Sequence, residues 1–97
     1  MTEAPPELDE KSRVTVSPSV YARAFGEEVV LLDFGRGEYF GLDPIGAEIW
    51  RRLEAGDDLG TVADHVVEHY EVSRAAALRD IVDLVAQLRS HDLLAPT

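Results

Sequence analysis

The chain contains no cysteine, one methionine and one tryptophan. Without thiols it can form no disulfide framework, no thiolate metal site and no cysteine nucleophile. Basic residues are also scarce: 9 Lys and Arg stand against 19 Asp and Glu in 97 residues, a net charge of −10. A protein that grips duplex DNA by its phosphates needs a net basic face, so nucleic acid is not an expected partner. Apolar runs are short, and none approaches the roughly 18 consecutive residues of a membrane span. The first 13 residues, MTEAPPELDEKSR, lack the basic start and the apolar core of about 7–15 residues that mark a secretory signal. A cytoplasmic chain without a membrane partner is expected. Its length suits one domain with one modest core, too small for a multilayer enzyme with a deep cleft.

The pattern that is present divides the chain. Residues 1–13 combine Pro5-Pro6 with Glu3, Glu7, Asp9 and Glu10, and with so little to bury they read as a disordered acidic arm. The domain proper is expected over 14–97. From Val14 to Leu42, β-branched and aromatic residues alternate with glycine punctuation, which is the pattern of a strand meander. Strands are expected near 19–25, 28–33 and 38–42, and the Val14–Val16 piece is β-like without a clear partner. Gly35 and Gly37 supply the positive-φ positions that a tight turn between the last two strands requires.

From Asp43 the apolar period changes to 3.6. Asp43-Pro44 opens a helix, with aspartate as the cap and proline at the first helical position. Ile45, Ile49, Trp50 and Leu53 form its stripe, and Gly56 ends it. Asp58 caps a second helix carrying Leu59, Val62, Ala63, Val66 and Tyr70 on one face. Ser73 caps a third, over 73–90, whose stripe is wide. Leu78, Val82 and Val85 make one row, with Ile81, Leu84 and Leu88 beside it. Three strands followed by three helices is a segregated α+β architecture. One row of the third helix suffices for packing, and the other needs a second surface. The third strand, Tyr39-Phe40-Gly41-Leu42, lies at a sheet edge with neither lysine nor proline to blunt it, which suits the docking of an added strand.

The run LLDFGRGEYFGLDPIGAEIWRRLEAG at 31–56 resembles the PqqD-like family, the RiPP recognition elements. It has an aliphatic-Asp strand, a glycine turn, Tyr-x-Gly-Leu, then x-Pro-x-Gly-x-x-Ile-Trp opening a helix. The segment DDLGTVADHVVEHYEVSRAAALRDIVDLVAQLRSHDLL is similar to that family's second and third helices. The likeness covers roughly residues 19–95. It implies a winged-helix-like fold, with the three-stranded antiparallel sheet preceding the helices, and a non-catalytic activity with no cofactor. Such domains bind the leader segment of a ribosomally made precursor peptide, as a strand added to the third strand beside the third helix. Small acidic standalone members look most like the lasso-peptide leader-binding proteins, which work with a leader peptidase and a macrocyclase. A peptide chaperone serving a radical enzyme, as in quinone-cofactor synthesis, is the sibling reading.

On that geometry the expected contact residues are Tyr39, Phe40, Gly41 and Leu42 on the strand. Leu78, Ile81, Val82 and Val85 form the helix wall, Arg79 stands at its margin for a leader carboxylate, and Phe34 closes one end at the turn. Phe40 and Leu42 share one strand face, Tyr39 and Gly41 the other. A core role competes with a binding role at Phe40, Leu42 and the helix stripe.

Two other patterns in the sequence have a blander account than the one their spacing suggests. His65-Val66-Val67-Glu68-His69 has the H-x-x-E-H spacing of one zinc-protease class, yet no third ligand is placed and a solvated helix face accounts for it. No catalytic or metal residue is expected. Helices two and three also have helix-turn-helix order, but Arg74, Arg79 and Arg89 against Asp80 and Asp83 make a weak reading helix in an acidic protein. A generic protein-interaction domain using the same edge strand stays open beside the leader-binding reading.

Overall fold

The computed structural model describes residues 8–95. Three strands, β1 (Val20–Phe25), β2 (Glu28–Asp33) and β3 (Glu38–Leu42), precede three helices, α1 (Pro44–Glu54), α2 (Leu59–His69) and α3 (Arg74–Ser90). The sheet is antiparallel in the order β1-β2-β3. The α+β meander and all three helices therefore lie where the residue pattern puts them.

Local chemistry explains the corners. Phe25 pairs with Glu28, leaving Gly26-Glu27 as a two-residue loop. Gly26 has φ +64° at the first loop position, which type II′ hairpins reserve for glycine. The β2–β3 turn is organised by Asp33, which is buried. Its Oδ1 accepts from Gly35 N at 3.1 Å and its carbonyl from Gly37 N at 2.8 Å. Each helix starts on the expected cap. Asp43 Oδ1 accepts from Gly46 N, Asp58 Oδ1 from Thr61 N, and Ser73 Oγ from Ala76 N. Each cap contributes about 1 kcal/mol by satisfying an amide that the helix leaves open.

The core is built from β2 and the helices. Val29 and Leu31 point inward, and Ile49, Trp50, Leu53, Leu59, Val62, Val66, Ile81, Val85 and Leu88 close over them. α1 packs on β2 and β3, α2 on α1, and α3 on α2. The sheet is thus covered by α1, while α3 leans on α2 and stands away from β3. The α3 stripe is centred on Ala77, Ile81, Val85 and Leu88, with Leu78, Val82 and Leu84 half-buried at its flanks. β1 lies outside this cover and is exposed over most of its length.

Both ends of the described chain are held. Val16 forms an isolated antiparallel bridge with Leu94, flanked by bonds from Ser17 N to Leu93 O (3.0 Å) and Ala95 N to Thr15 O (2.7 Å). Val14 is buried beneath it. The β-like piece near Val14–Val16 thus finds its partner at the other end of the sequence. Of the arm expected over 1–13, residues 1–7 lie outside the described residues. Residues 8–13 are attached. Leu59 N donates to Ser12 O and Gly60 N to Glu10 O (2.8 Å), because the first turn of α2 has amides to satisfy. Gly60 admits this approach: a Cβ there would sit 3.1 Å from the Glu10 carbonyl oxygen.

Candidate functional site

The gap between β3 and α3 is an open groove of about 460 Å³. One side is Phe40, Gly41 and Leu42 of β3, continued by Ile45 and Ile49 of α1; the other is Asp80, Asp83, Leu84 and Gln87 of α3. The α3 residues fall at i, i+3, i+4 and i+7, one helix face. β3 is a terminal strand of the sheet. Among the described residues its backbone has one ladder, to β2, and an edge of that kind offers its other side to a further strand. The site therefore combines a hydrogen-bonding edge, an apolar floor and a helix wall, the ingredients of β-strand addition. No group here is arranged as a nucleophile with an adjacent base.

The groove is acidic. Asp80 and Asp83 are exposed on α3, and Asp43 lies at the β3–α1 corner. Among the described residues, no lysine or arginine lines it. At this point the strand and helix residues expected from the sequence separate into three sets.

Phe40, Gly41 and Leu42 lie on the groove, Phe40 half-buried and Leu42 at 4% exposure. Leu42 is thus both core and groove floor. Tyr39 and Phe34 lie elsewhere. Tyr39 pairs with Leu32 on the outer sheet face and is 79% exposed, and Phe34 in the turn is 74% exposed. Phe34 approaches Tyr21, with ring centroids 6.2 Å apart.

On α3, Ile81 and Val85 have no exposed surface. They face α2 in the core and are not among the residues that line the groove. Leu78 and Val82 are half-buried and Arg79 is exposed, all outside the groove lining. The helix is turned so that its stripe centre faces α2, and a neighbouring, more polar face looks across to β3. No apolar pattern points to Asp80, Asp83, Leu84 and Gln87 as groove lining: an apolar stripe marks the packed face of a helix, and this wall is a mixed one. Phe40 is further braced by His91 beyond α3, with ring centroids 5.1 Å apart.

The family model of coenzyme PQQ synthesis protein D (PqqD) matches residues 28–94, from the start of β2 to the bridge that Val16 makes with Leu94. The chain belongs to the PqqD family. Two solved structures are similar to this PqqD-family chain over nearly all of its fold. One, described as TbiB1 in complex with the TbiA(beta) leader peptide, is 35% identical, with a TM-score of 0.80, covering 86% of this chain and 96% of that one. The other is lasso peptide synthetase B1 complexed with the leader peptide, 33% identical with a TM-score of 0.81, covering 88% of this chain and all of that one. No curated protein matches the sequence. Among the described residues, no helix is long and apolar enough to cross a membrane.

Proposed function

We propose that this protein is a non-catalytic recognition protein of lasso peptide biosynthesis. It binds the leader segment of a ribosomally synthesised precursor as a strand added along Glu38–Leu42. The observation that carries this reading is the free edge of β3 facing a groove that α3 leaves open. Both similar solved structures are leader-peptide complexes of B1-type proteins, which favours the lasso reading over service to a radical enzyme. Main-chain hydrogen bonds supply affinity in this mode, and alternate side chains of the guest supply specificity. Guest side chains pointing inward meet Phe40, Leu42, Ile45 and Leu84. A basic guest residue meets Asp80 and Asp83, so the charge sought in the leader is opposite to the one Arg79 would have selected.

The bound leader is then offered to the leader peptidase and the macrocyclase. Support comes from the outer sheet face, where Tyr21, Leu32 and Tyr39 align across the three strands. Phe34 extends that row. Exposed Tyr21, Tyr39 and Phe34 grouped around half-buried Leu32 suit an interaction surface, and they leave the groove free for the peptide.

The test is a titration with a fluorescent leader from the precursor encoded beside this protein, against a scrambled control. A dissociation constant near micromolar or tighter, about −8 kcal/mol, that the scramble does not reproduce is the expected result. Equal binding of leader and scramble would remove the leader-recognition reading.

A further inference from the structure

His65 and His69 lie one turn apart on α2, their ring centroids 4.2 Å from each other. One ligand atom each from His65, Glu68 and His69 fall within 4.8 Å of one another. Donors around a four-coordinate zinc ion are separated by roughly 3.4 Å, given bonds of about 2.0–2.2 Å, so small movements of Glu68 and His69, which are exposed, toward the half-buried His65 close the set. Each imidazole also has one nitrogen already engaged. His65 Nε2 lies 2.7 Å from Glu48 Oε1 on α1, and His69 Nδ1 lies 2.8 Å from the His65 carbonyl oxygen. With those nitrogens donating, the lone pairs of His65 Nδ1 and His69 Nε2 are free. A carboxylate or a backbone carbonyl behind the ring is the arrangement that orients histidines for a metal.

The surroundings favour a cation. α2 ends at His69, where the helix dipole is negative, and the chain carries a net charge of −10. None of these residues lines the β3–α3 groove.

We propose that His65, Glu68 and His69 form a binding site for a divalent transition-metal ion of the zinc type, with Glu48 positioning His65. Three protein ligands leave one position for water. The site is on an open helix surface and has no cleft for a substrate, so its role is structural. Glu48 belongs to α1 and His65 to α2, and a bound ion ties the two helices through the Glu48–His65 hydrogen bond. This site is independent of leader binding.

The experiment is a zinc titration of the untagged full chain by calorimetry, with melting followed in parallel and cobalt absorption reporting the coordination geometry. One equivalent of zinc is expected, with a higher melting temperature at saturation. His69→Ala should weaken binding more than tenfold and abolish the zinc-dependent rise in melting temperature. Glu48→Gln, which keeps the shape but removes the charge, should weaken zinc about 10- to 100-fold. His69→Ala should melt as the parent does without zinc, which shows that the variant folds. Absence of zinc uptake by the parent, or uptake that His65→Ala and His69→Ala leave unchanged, would overturn the site and leave a hydrogen bond between helices.

Discussion

Arg74, the first residue of α3, holds the carboxylate of Glu10 across 64 positions of sequence. It also binds Asp64 of α2 at 2.9 Å. An arginine at a helix start opposes the helix dipole, so its benefit here is tertiary: it fastens the N-terminal segment onto α2. The Arg74 guanidinium, through its hydrogen bond to Glu10, holds that carboxyl below its ordinary value. A group with a depressed folded pKa stabilises the fold above its unfolded pKa and loses that contribution as pH falls through the folded value. The attachment should therefore be complete at neutral pH and weaken below about pH 4.5, the ordinary glutamate value. Amide protection factors at Leu59 and Gly60 should fall in that range, and Arg74→Ala should lower them at neutral pH. Protection that is unchanged in Arg74→Ala would show that the backbone bonds hold the segment unaided.

Leu84 and Leu78 give opposite outcomes if the groove is the binding site. Leu84→Asp puts a charge on the apolar part of the groove wall and should weaken the leader at least tenfold, about 1.4 kcal/mol. Leu78→Asp lies outside the lining and should leave the affinity of the folded protein within about threefold, roughly 0.6 kcal/mol. Fluorescence anisotropy with the same leader measures both.

Asp80 and Asp83 make the groove wall acidic. The double change to asparagine should flatten the salt dependence of leader binding, since exposed charge pairs are screened over roughly 10 Å at 0.1 M salt. Anisotropy titrations at low and high salt measure the slope. An unaltered slope would mean that no basic leader residue reaches this wall.

Ile81 separates core from wall. Ile81→Ala should cost about 2–5 kcal/mol of unfolding free energy, the usual range for emptying a buried aliphatic site. Denaturant titration reads the loss. At a temperature where the variant is folded, its leader affinity should match the parent's.

Phe34 and Tyr21 test the outer sheet face. Phe34→Glu and Tyr21→Glu should leave leader affinity intact and reduce cleavage of the leader by the peptidase in a reconstituted reaction. Equal cleavage rates would move enzyme docking to another surface.

The elements were legible because their ends carry side-chain chemistry. Asp43, Asp58 and Ser73 each cap the helix that follows, and glycines take positive φ at Gly26, Gly37 and Gly56, although Gly35, expected there too, does not and Asp92 does. The strand half of the site was legible for a similar reason. Alternation alone puts Phe40 and Leu42 on one face, and an unblunted terminal strand advertises its edge. The helix half was not. Whether the central row of α3 meets α2 or β3 is a question of how the helix is rotated, and the apolar stripe reads the same in either case. Ile81 and Val85 went to the core, and the groove received Leu84 among polar neighbours. The Val16–Leu94 bridge was equally hidden, since one residue pair at the two ends of a domain leaves no local pattern. The hold on residues 8–13 combines backbone carbonyls, which every sequence possesses, with the Glu10–Arg74 pair, whose partners are too far apart in sequence to leave a local pattern.

That bridge has a consequence for the order in which the molecule assembles and comes apart. Within the sheet and the helix layer most contacts join elements adjacent in sequence: strand to the next strand, helix to the next helix. The Val16–Leu94 seam must wait until the ends of the chain meet, and closing so long a loop carries an entropy cost that the hairpins avoid. A contact made last, and with few bonds, is the first to open. Partial unfolding should begin at the seam, releasing the tail beyond α3 together with residues 15–17, while the bonds to α2 and Arg74 keep residues 8–13 attached and the sheet and the helix layer stay closed.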